Sequence, residues 1–249
     1  MPEESSTPRT ESQWLELNRR FYDLLWADAK LIKPQRFVTW PIVQSLVRNL
    51  ARRIEIAPGL RPRLPIDGTT FVDISRPALM ALKKAGGHTI TGSITALPVA
   101  SRSFDLVGAL DIVEHVEDDV QAFAELSRIT APGGVMLLAT PLHQSRWTPF
   151  DDFVGHRRRY DPQELLARLS ASGFTVEQSA VYGMQPRSSK LLNWGMWYLV
   201  NRRERAMWWY NRVFMPLALR FARRLLMTQG VLNMANVDEV FLVCRKGNG

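Results

Sequence analysis

The segment from Phe71 to Thr140 alternates short apolar runs with turns and helical stretches. The runs FVDIS and FDLVGAL are each followed by a stretch with helical spacing, and the segment ends on GVMLLATP. A helix between two strands carries the chain back to the starting edge of the sheet, so such strands lie parallel. The near-continuous apolar character of GVMLLATP is typical of a strand buried on both faces. The pattern predicts an α/β fold built on a parallel sheet.

The composition suits one domain with a sizeable core, because 249 residues at 46% hydrophobic content can bury a large apolar surface. The apolar runs are much shorter than the roughly 18–20 residues that cross a bilayer, and the first residues, MPEESSTPRTES, are polar. We therefore expect a cytoplasmic protein. The single cysteine, Cys244, lies in the apolar run EVFLVCR and is expected to be a buried thiol.

We divide the chain by its patterns. Residues 1–12 are predicted to be disordered, and 13–249 to form one domain. Within this domain we expect N-terminal helices in 13–52, a core in 53–186, an inserted basic and aromatic helical segment in 187–231, and the last strand in 237–246.

The ordered series FVDIS, GSITALP, SFDLVGALDIVEHVEDD and ELSRITAPGGVMLLATP resembles the class I S-adenosylmethionine-dependent methyltransferases, over about residues 53–182. The resemblance implies a Rossmann-like, doubly wound sheet of seven strands with the last strand antiparallel. It also implies that S-adenosylmethionine binds where the carboxyl ends of the strands meet.

The resemblance assigns cofactor contacts to the ends of the first four strands. Asp73 at the end of FVDIS is predicted to accept two hydrogen bonds from the ribose diol. The alternative for Asp73 is that it caps the next helix. The full predicted cofactor set is Glu55, Ala57, Gly59, Asp73, Ile74, Ser93, Ile94 and Asp111.

The loop after the first strand departs from the family pattern of acid-x-Gly-x-Gly. This chain has Glu55-Ile56-Ala57-Pro58-Gly59, so one glycine is replaced by alanine and a proline removes an amide donor. The following RPRLPIDG has two prolines where a helix is expected. We predict a compact, irregular loop that Glu55 supports.

Asp111, Glu114 and His115 stand at i, i+3 and i+4, a spacing that places three side chains on one face of a helical turn. The group resembles the acid-x-x-Glu-His site with which quinone-pathway O-methyltransferases hold a divalent cation. The same Glu-His pair also occurs in methyltransferases without metal. No metal is our main expectation, and a cation at these three residues is the alternative.

The long polar segment PLHQSRWTPFDDFVGHRRRY follows the fifth strand, over the predicted cleft. We expect His143 or His156 to act as a base, with His115 as a further candidate, because imidazole changes charge near neutral pH. Arg157, Tyr160 and Trp147 are the predicted acceptor-binding residues. The alternative is that GHRRRY caps the following helix and pairs with Asp151 and Asp152.

The excess positive charge is confined to 187–224, which contains nine basic side chains, one acidic side chain and four of the eight tryptophans. Three functions fit this segment: a lid over the acceptor, a peripheral contact with a membrane surface, or nucleic-acid binding, which we consider the weakest of the three. An ordinary core of tryptophans with a solvated basic face is a fourth explanation.

Together these patterns predict methyl transfer from S-adenosylmethionine to a small-molecule or lipid-like acceptor, most simply to oxygen. The alternative from another class is a non-catalytic binding or scaffold protein that keeps the sheet and has lost the donor, which Ala57 and Pro58 favour.

Overall fold

The computed structural model describes residues 29–183 and 224–248, together with Arg19, Tyr22, Asp23, Trp26 and isolated positions between 202 and 219. The predicted 1–12 segment and most of 187–231 lie outside the described residues, whereas most of 13–52 is described, and the predicted division into segments stays a prediction. No helix in the described part of the chain combines the length and apolarity that a membrane span requires.

The described chain alternates strands and helices as the sequence predicts. The helices are α1 (Trp40–Leu46), α2 (Arg76–Lys84), α3 (Asp119–Ile129), α4 (Pro149–Val154) and α5 (Pro162–Ala171). The strands are β1 (Arg53–Ile56), β2 (Thr69–Asp73), β3 (His88–Thr91), β4 (Phe104–Leu110), β5 (Thr130–Pro141), β6 (Phe174–Val181), β7 (Thr228–Gln229) and β8 (Glu239–Lys246).

The strands form one sheet in the order β3-β2-β1-β4-β5-β8-β6-β7. Strands β1 to β5 are parallel, and β8 runs antiparallel between β5 and β6. The predicted Rossmann-like sheet with its antiparallel last strand is confirmed. The structure adds the two-residue β7 at the edge, within the segment predicted as an insertion between the sixth and last strands.

The strand order reverses beside β1, whose neighbours are β2 on one side and β4 on the other. Ligands of open α/β sheets bind at such a reversal, at the carboxyl ends of the strands. The antiparallel β8 begins at this same edge, because Glu239 pairs with Pro141 at the end of β5. Side chains at the ends of β1, β2, β4 and β5 therefore converge with the first residue of β8.

The helices cover both faces of the sheet and bury its apolar side chains. Helices α3 and α5 pack on one face through Phe123, Leu126, Leu165 and Leu169, and α1 packs on the other through Val43. Asp118 begins α3 by accepting a hydrogen bond from the backbone of Gln121, as an N-cap residue does. This core fixes the strand ends that carry the site.

Candidate functional site

The loop after β1 is compact and contains no helix, as predicted. The carboxylate of Glu55 accepts hydrogen bonds from the backbone N–H groups of Arg63 (2.8 and 3.0 Å) and Leu64 (2.9 Å). Burial raises the pKa of Glu55 to about 7, although these donors oppose the shift. Glu55 therefore organises the loop after β1 by accepting hydrogen bonds from its backbone.

Ala57 occupies the left-handed region with φ of 53°, where glycine is the usual residue. Its backbone N–H donates to the carbonyl of Val72 at 2.7 Å. The alanine that departs from the family motif thus adopts the backbone conformation that a glycine would favour. Strain of this kind persists where the surrounding structure imposes it, and it is often found at functional sites.

Asp73 lies at the carboxyl end of β2 and is 5% exposed. Its Oδ2 accepts a hydrogen bond from the N–H of Gly59 at 3.0 Å, and its Oδ1 accepts one from the N–H of Ser75 at 2.8 Å. Burial raises the pKa of Asp73 to about 6, while the backbone donors favour the carboxylate. Each oxygen keeps a lone pair for a further donor.

A cavity opens beside Asp73 at the reversal of the strand order. Five residues of the predicted cofactor set line it: Ala57, Asp73, Ile74, Ser93 and Ile94. Glu55, Gly59 and Asp111 are not in the lining. Glu55 and Gly59 hold the loop instead, and Asp111 belongs to the neighbouring acidic group.

The N-terminal segment contributes two aromatic side chains that sequence reasoning missed. Tyr22 lines the cavity, and its hydroxyl lies 3.2 Å from Nε2 of His115. Trp26 packs over Gly59 so closely that a Cβ at Gly59 would lie 2.2 Å from the indole ring. Their helical spacing was visible in the sequence, but nothing in it indicated which strand end they cover.

Next to the cavity lie three acids, two in the segment after β4 and one at the start of β8. Asp111 follows β4 with φ of 55°, and shares a hydrogen bond with Glu239. Glu114 is fully buried, and its Oε2 accepts a hydrogen bond from the hydroxyl of Thr140 at 3.3 Å. Burial raises the pKa of all three carboxyl groups, and Asp111 raises the pKa of Glu114 and of Glu239 further, whereas the hydrogen bond with Glu239 lowers the pKa of Asp111. Nearby Arg63 opposes the shift at Asp111 and Glu239.

His115 and His156 meet at this acidic group, with ring centroids 4.6 Å apart and the rings nearly perpendicular. Nδ1 of His156 lies 2.8 Å from Oδ1 of Asp151, and its Nε2 lies 3.9 Å from Oε1 of Glu114. Burial lowers the pKa of His115 to about 3, so its imidazole is neutral at physiological pH. The alternative pairing of GHRRRY with Asp151 is also present, because Arg159 contacts the same Oδ1 at 2.8 Å.

The other predicted site residues lie in different surroundings. His143 has φ of 63°, and its Nε2 lies 2.9 Å from the carbonyl of Met234. The Tyr160 side chain is buried in the core and donates to Asp119 at 2.8 Å, which is a structural contact. Trp147 donates to Asp152 at 3.0 Å. Arg157 does line the cavity, in an ion pair with Glu117 at 2.6 Å.

Comparison with known proteins finds similarity to methyltransferases. A family model described as a methyltransferase domain matches residues 60–138. Among solved structures, a Thermotoga maritima methyltransferase described as a possible histamine N-methyltransferase aligns over 96% of this chain and 94% of its own, with a TM-score of 0.57 and 16% identity. Residues 60–138 therefore match a methyltransferase domain, and the fold of the chain is that of the class I S-adenosylmethionine-dependent methyltransferases.

Curated methyltransferases match part of the chain. A probable S-adenosylmethionine-dependent methyltransferase of Mycolicibacterium smegmatis is 35% identical over 92 residues, which is 35% of each protein. A malonyl-[acyl-carrier protein] O-methyltransferase of Erwinia billingiae is 30% identical over 137 residues, or 47% of this chain and 54% of that protein. The chain thus spans about a third to a half of the length of these curated relatives.

The methyltransferase fold also serves other chemistry. A [4+2]-cyclase aligns over 98% of both chains with a TM-score of 0.59 and 14% identity. At such identities the likeness concerns the fold, and activity has to be argued from the site.

Proposed function

We propose that this protein transfers a methyl group from S-adenosylmethionine to an oxygen atom of a small-molecule or lipid-like acceptor. The observation that carries the proposal is the buried carboxylate of Asp73, which lies at the end of β2 in the wall of the cavity. A ribose diol offers two O–H donors, and a carboxylate fixed by backbone N–H groups is the acceptor that suits them.

The remaining lining suits the other parts of the nucleoside. Ile94 and Val72 offer apolar surface to a base, and the hydroxyl of Ser93 can donate as well as accept. The loop that Glu55 organises would contact the methionine part. The cavity volume is about 70 Å³, whereas sites for ligands of this size usually exceed about 300 Å³. We therefore expect Tyr22 to move when the nucleoside binds.

The transfer itself needs alignment more than chemical activation of the donor. The methyl group is bonded to a positively charged sulfur, so its bond to sulfur breaks as its bond to the acceptor oxygen forms, which leaves a neutral thioether. The acceptor hydroxyl must lose its proton to a base. His156 has the arrangement of a general base, because Asp151 holds its Nδ1 and leaves Nε2 facing the acidic group.

Oxygen as the methylated atom is supported by the malonyl-[acyl-carrier protein] O-methyltransferases among the relatives. A lipid-like acceptor is supported by exposed aromatic and basic residues in the 187–224 segment. Trp208, Trp209 and Leu217 are 48%, 45% and 48% exposed, and Arg202, Arg205 and Arg212 are exposed near them in sequence. Amphipathic aromatic rings beside cations are typical of segments that lie on membrane surfaces.

The proposal is tested with S-adenosylmethionine that carries a deuterated methyl group. The protein is incubated with phenols, carboxylic acids and lipid extracts, and the products are analysed by mass spectrometry. We expect the label on an oxygen of one acceptor class and stoichiometric S-adenosylhomocysteine. Binding of the nucleoside without product from any class would favour the binding-protein alternative.

A further inference from the structure

Glu114, His115 and His156 form a cluster whose side chains come from two separate parts of the chain. Glu114 and His115 belong to the turn after β4, and His156 follows α4. Each side chain offers an oxygen or nitrogen atom, and these three atoms all lie within 4.8 Å of one another. We propose that Glu114, His115 and His156 bind a divalent transition-metal ion beside the cofactor cavity.

The first support is a buried acceptor that lacks a partner. Oε1 of Glu114 is inaccessible to solvent and has no hydrogen bond to any residue that the structure describes. A buried polar atom without a partner destabilises the folded protein, and a charged group does so more strongly. Oε1 faces Nε2 of His156 at 3.9 Å, so a cation between them would satisfy both atoms.

The second support is the orientation of His156. Its Nδ1 contacts Asp151, which also accepts a hydrogen bond from Arg159 and is completely buried. A histidine that binds a metal commonly donates its other ring N–H to a carboxylate, which fixes the tautomer and the direction of the free nitrogen. Asp151 is in position to do this for His156 and leaves Nε2 free to coordinate.

The donor set identifies the class of ion. Two imidazoles and one carboxylate suit Zn²⁺, Fe²⁺, Co²⁺ and similar ions, whereas Mg²⁺ and Ca²⁺ prefer oxygen ligands. Coordination distances of about 2.0–2.2 Å would draw the three atoms together by roughly 1 Å. The set differs from the predicted Asp111, Glu114 and His115 group, because His156 joins the cluster and Asp111 pairs with Glu239.

The location suggests how the ion would act, and this step rests on the proposed function. His115 lines the cofactor cavity, so an ion held there would lie next to the acceptor. Three protein ligands leave a position open for an acceptor hydroxyl, whose pKa the ion would lower. With the ion bound, His156 would serve as a ligand in place of the base role proposed above for the metal-free protein, and the hydroxyl proton would pass to a buffer base.

The test is a Co²⁺ titration of the full chain, purified without a histidine tag and followed by visible absorption, with Zn²⁺ added afterwards as a competitor. We expect one equivalent of Co²⁺ to bind and Zn²⁺ to displace it. Glu114→Gln and His156→Ala should each weaken binding at least tenfold, since metal sites lose about that much even when an outer partner is removed. His88→Ala is the matched control, because His88 is exposed on β3.

Absence of Co²⁺ binding, or equal binding by wild type, Glu114→Gln and His156→Ala, would overturn the metal site. Circular dichroism identifies any variant that fails to fold, and Glu114→Gln keeps the shape of the side chain. A parallel titration with S-adenosylhomocysteine reports on the proposed function alone. A protein that binds the nucleoside and no Co²⁺ would refute the metal site and leave methyl transfer standing.

Discussion

The backbone N–H of Gly59 donates a hydrogen bond to Oδ2 of Asp73 at 3.0 Å, which joins the loop after β1 to the tip of β2. The second oxygen of Asp73 accepts from Ser75. The Asp73 carboxylate, which is the proposed ribose ligand, is thus oriented before any ligand arrives, and the irregular loop is held at the same time. One contact therefore links the unusual loop of this chain to its proposed cofactor site.

Binding of S-adenosylhomocysteine should depend on pH through Asp73. Burial raises the pKa of this group to about 6, and the ribose diol binds the carboxylate form. The affinity should be constant between about pH 7 and 8 and should fall by up to tenfold per pH unit below about pH 6, where the free protein takes up a proton. Calorimetric titration at several pH values measures this. Unchanged affinity down to pH 5 would contradict this pH dependence.

The close contact of Gly59 with Trp26 predicts a costly substitution. Gly59→Ala places a side chain at φ of 54° and against the indole ring. Overpacking typically costs about 1–3 kcal/mol, in addition to about 1 kcal/mol for the left-handed backbone. Gly230→Ala is the matched control, because it has φ of 67° and open space around it.

Urea denaturation of Gly59→Ala and Gly230→Ala measures the cost of each substitution. The same measurement on Gly59→Ala in a Trp26→Ala background separates the cost of overpacking against the indole from the cost of the left-handed backbone. The cost of Gly59→Ala should fall to that of Gly230→Ala once the indole is removed. An equal cost with and without Trp26 would show that the N-terminal segment does not cover this loop.

Glu55 should make the protein less stable as the pH rises. Its folded pKa is about 7, above the ordinary value of 4.5, so the folded state holds the proton more tightly than the unfolded state. We compare wild type with Glu55→Gln, which cannot titrate at this position. The free energy of unfolding of wild type minus that of Glu55→Gln should decline by about 3 kcal/mol between pH 4.5 and pH 7. Denaturation curves over this range test it, and a constant difference would mean that Glu55 titrates normally.

Association with membranes should depend on Trp208 and Trp209. Wild type should sediment with vesicles that contain anionic lipid, and less so as the salt concentration rises, because exposed charges are screened. The double change to alanine should reduce the bound fraction severalfold. Met80→Ala, which removes an exposed apolar side chain from α2, should leave it unchanged. Equal binding by all three proteins would argue against this contact.

The sequence predicted the sheet well because its signals are local. The apolar run of β5 identifies a strand that is buried on both faces. The acid at the end of β2 indicates the edge of the sheet where the ligand binds. The irregular loop after β1 was also predictable, since prolines cannot continue a helix. The two-residue β7 carries too little pattern to be found in this way.

The composition of the site was harder to predict because it depends on long-range contacts. Tyr22 reaches His115 across 93 positions of sequence, and His156 meets Glu114 across 42. Glu239 could have been found, since an antiparallel last strand begins at the carboxyl edge of its parallel neighbours. Tyr160 looked like a polar loop residue, and its core position depends on how the loop folds back on α3.

The most direct test of the account compares the binding of S-adenosylhomocysteine by wild type, Asp73→Asn and Asp67→Asn in calorimetric titrations at pH 7.5. Asp67 is exposed in the loop before β2 and serves as the matched control. We predict one site in wild type and Asp67→Asn, and affinity at least tenfold weaker in Asp73→Asn, because a charge-assisted hydrogen bond contributes about 1.5–3 kcal/mol. No binding by wild type at millimolar nucleoside, or equal affinity in all three proteins, would contradict the central claim.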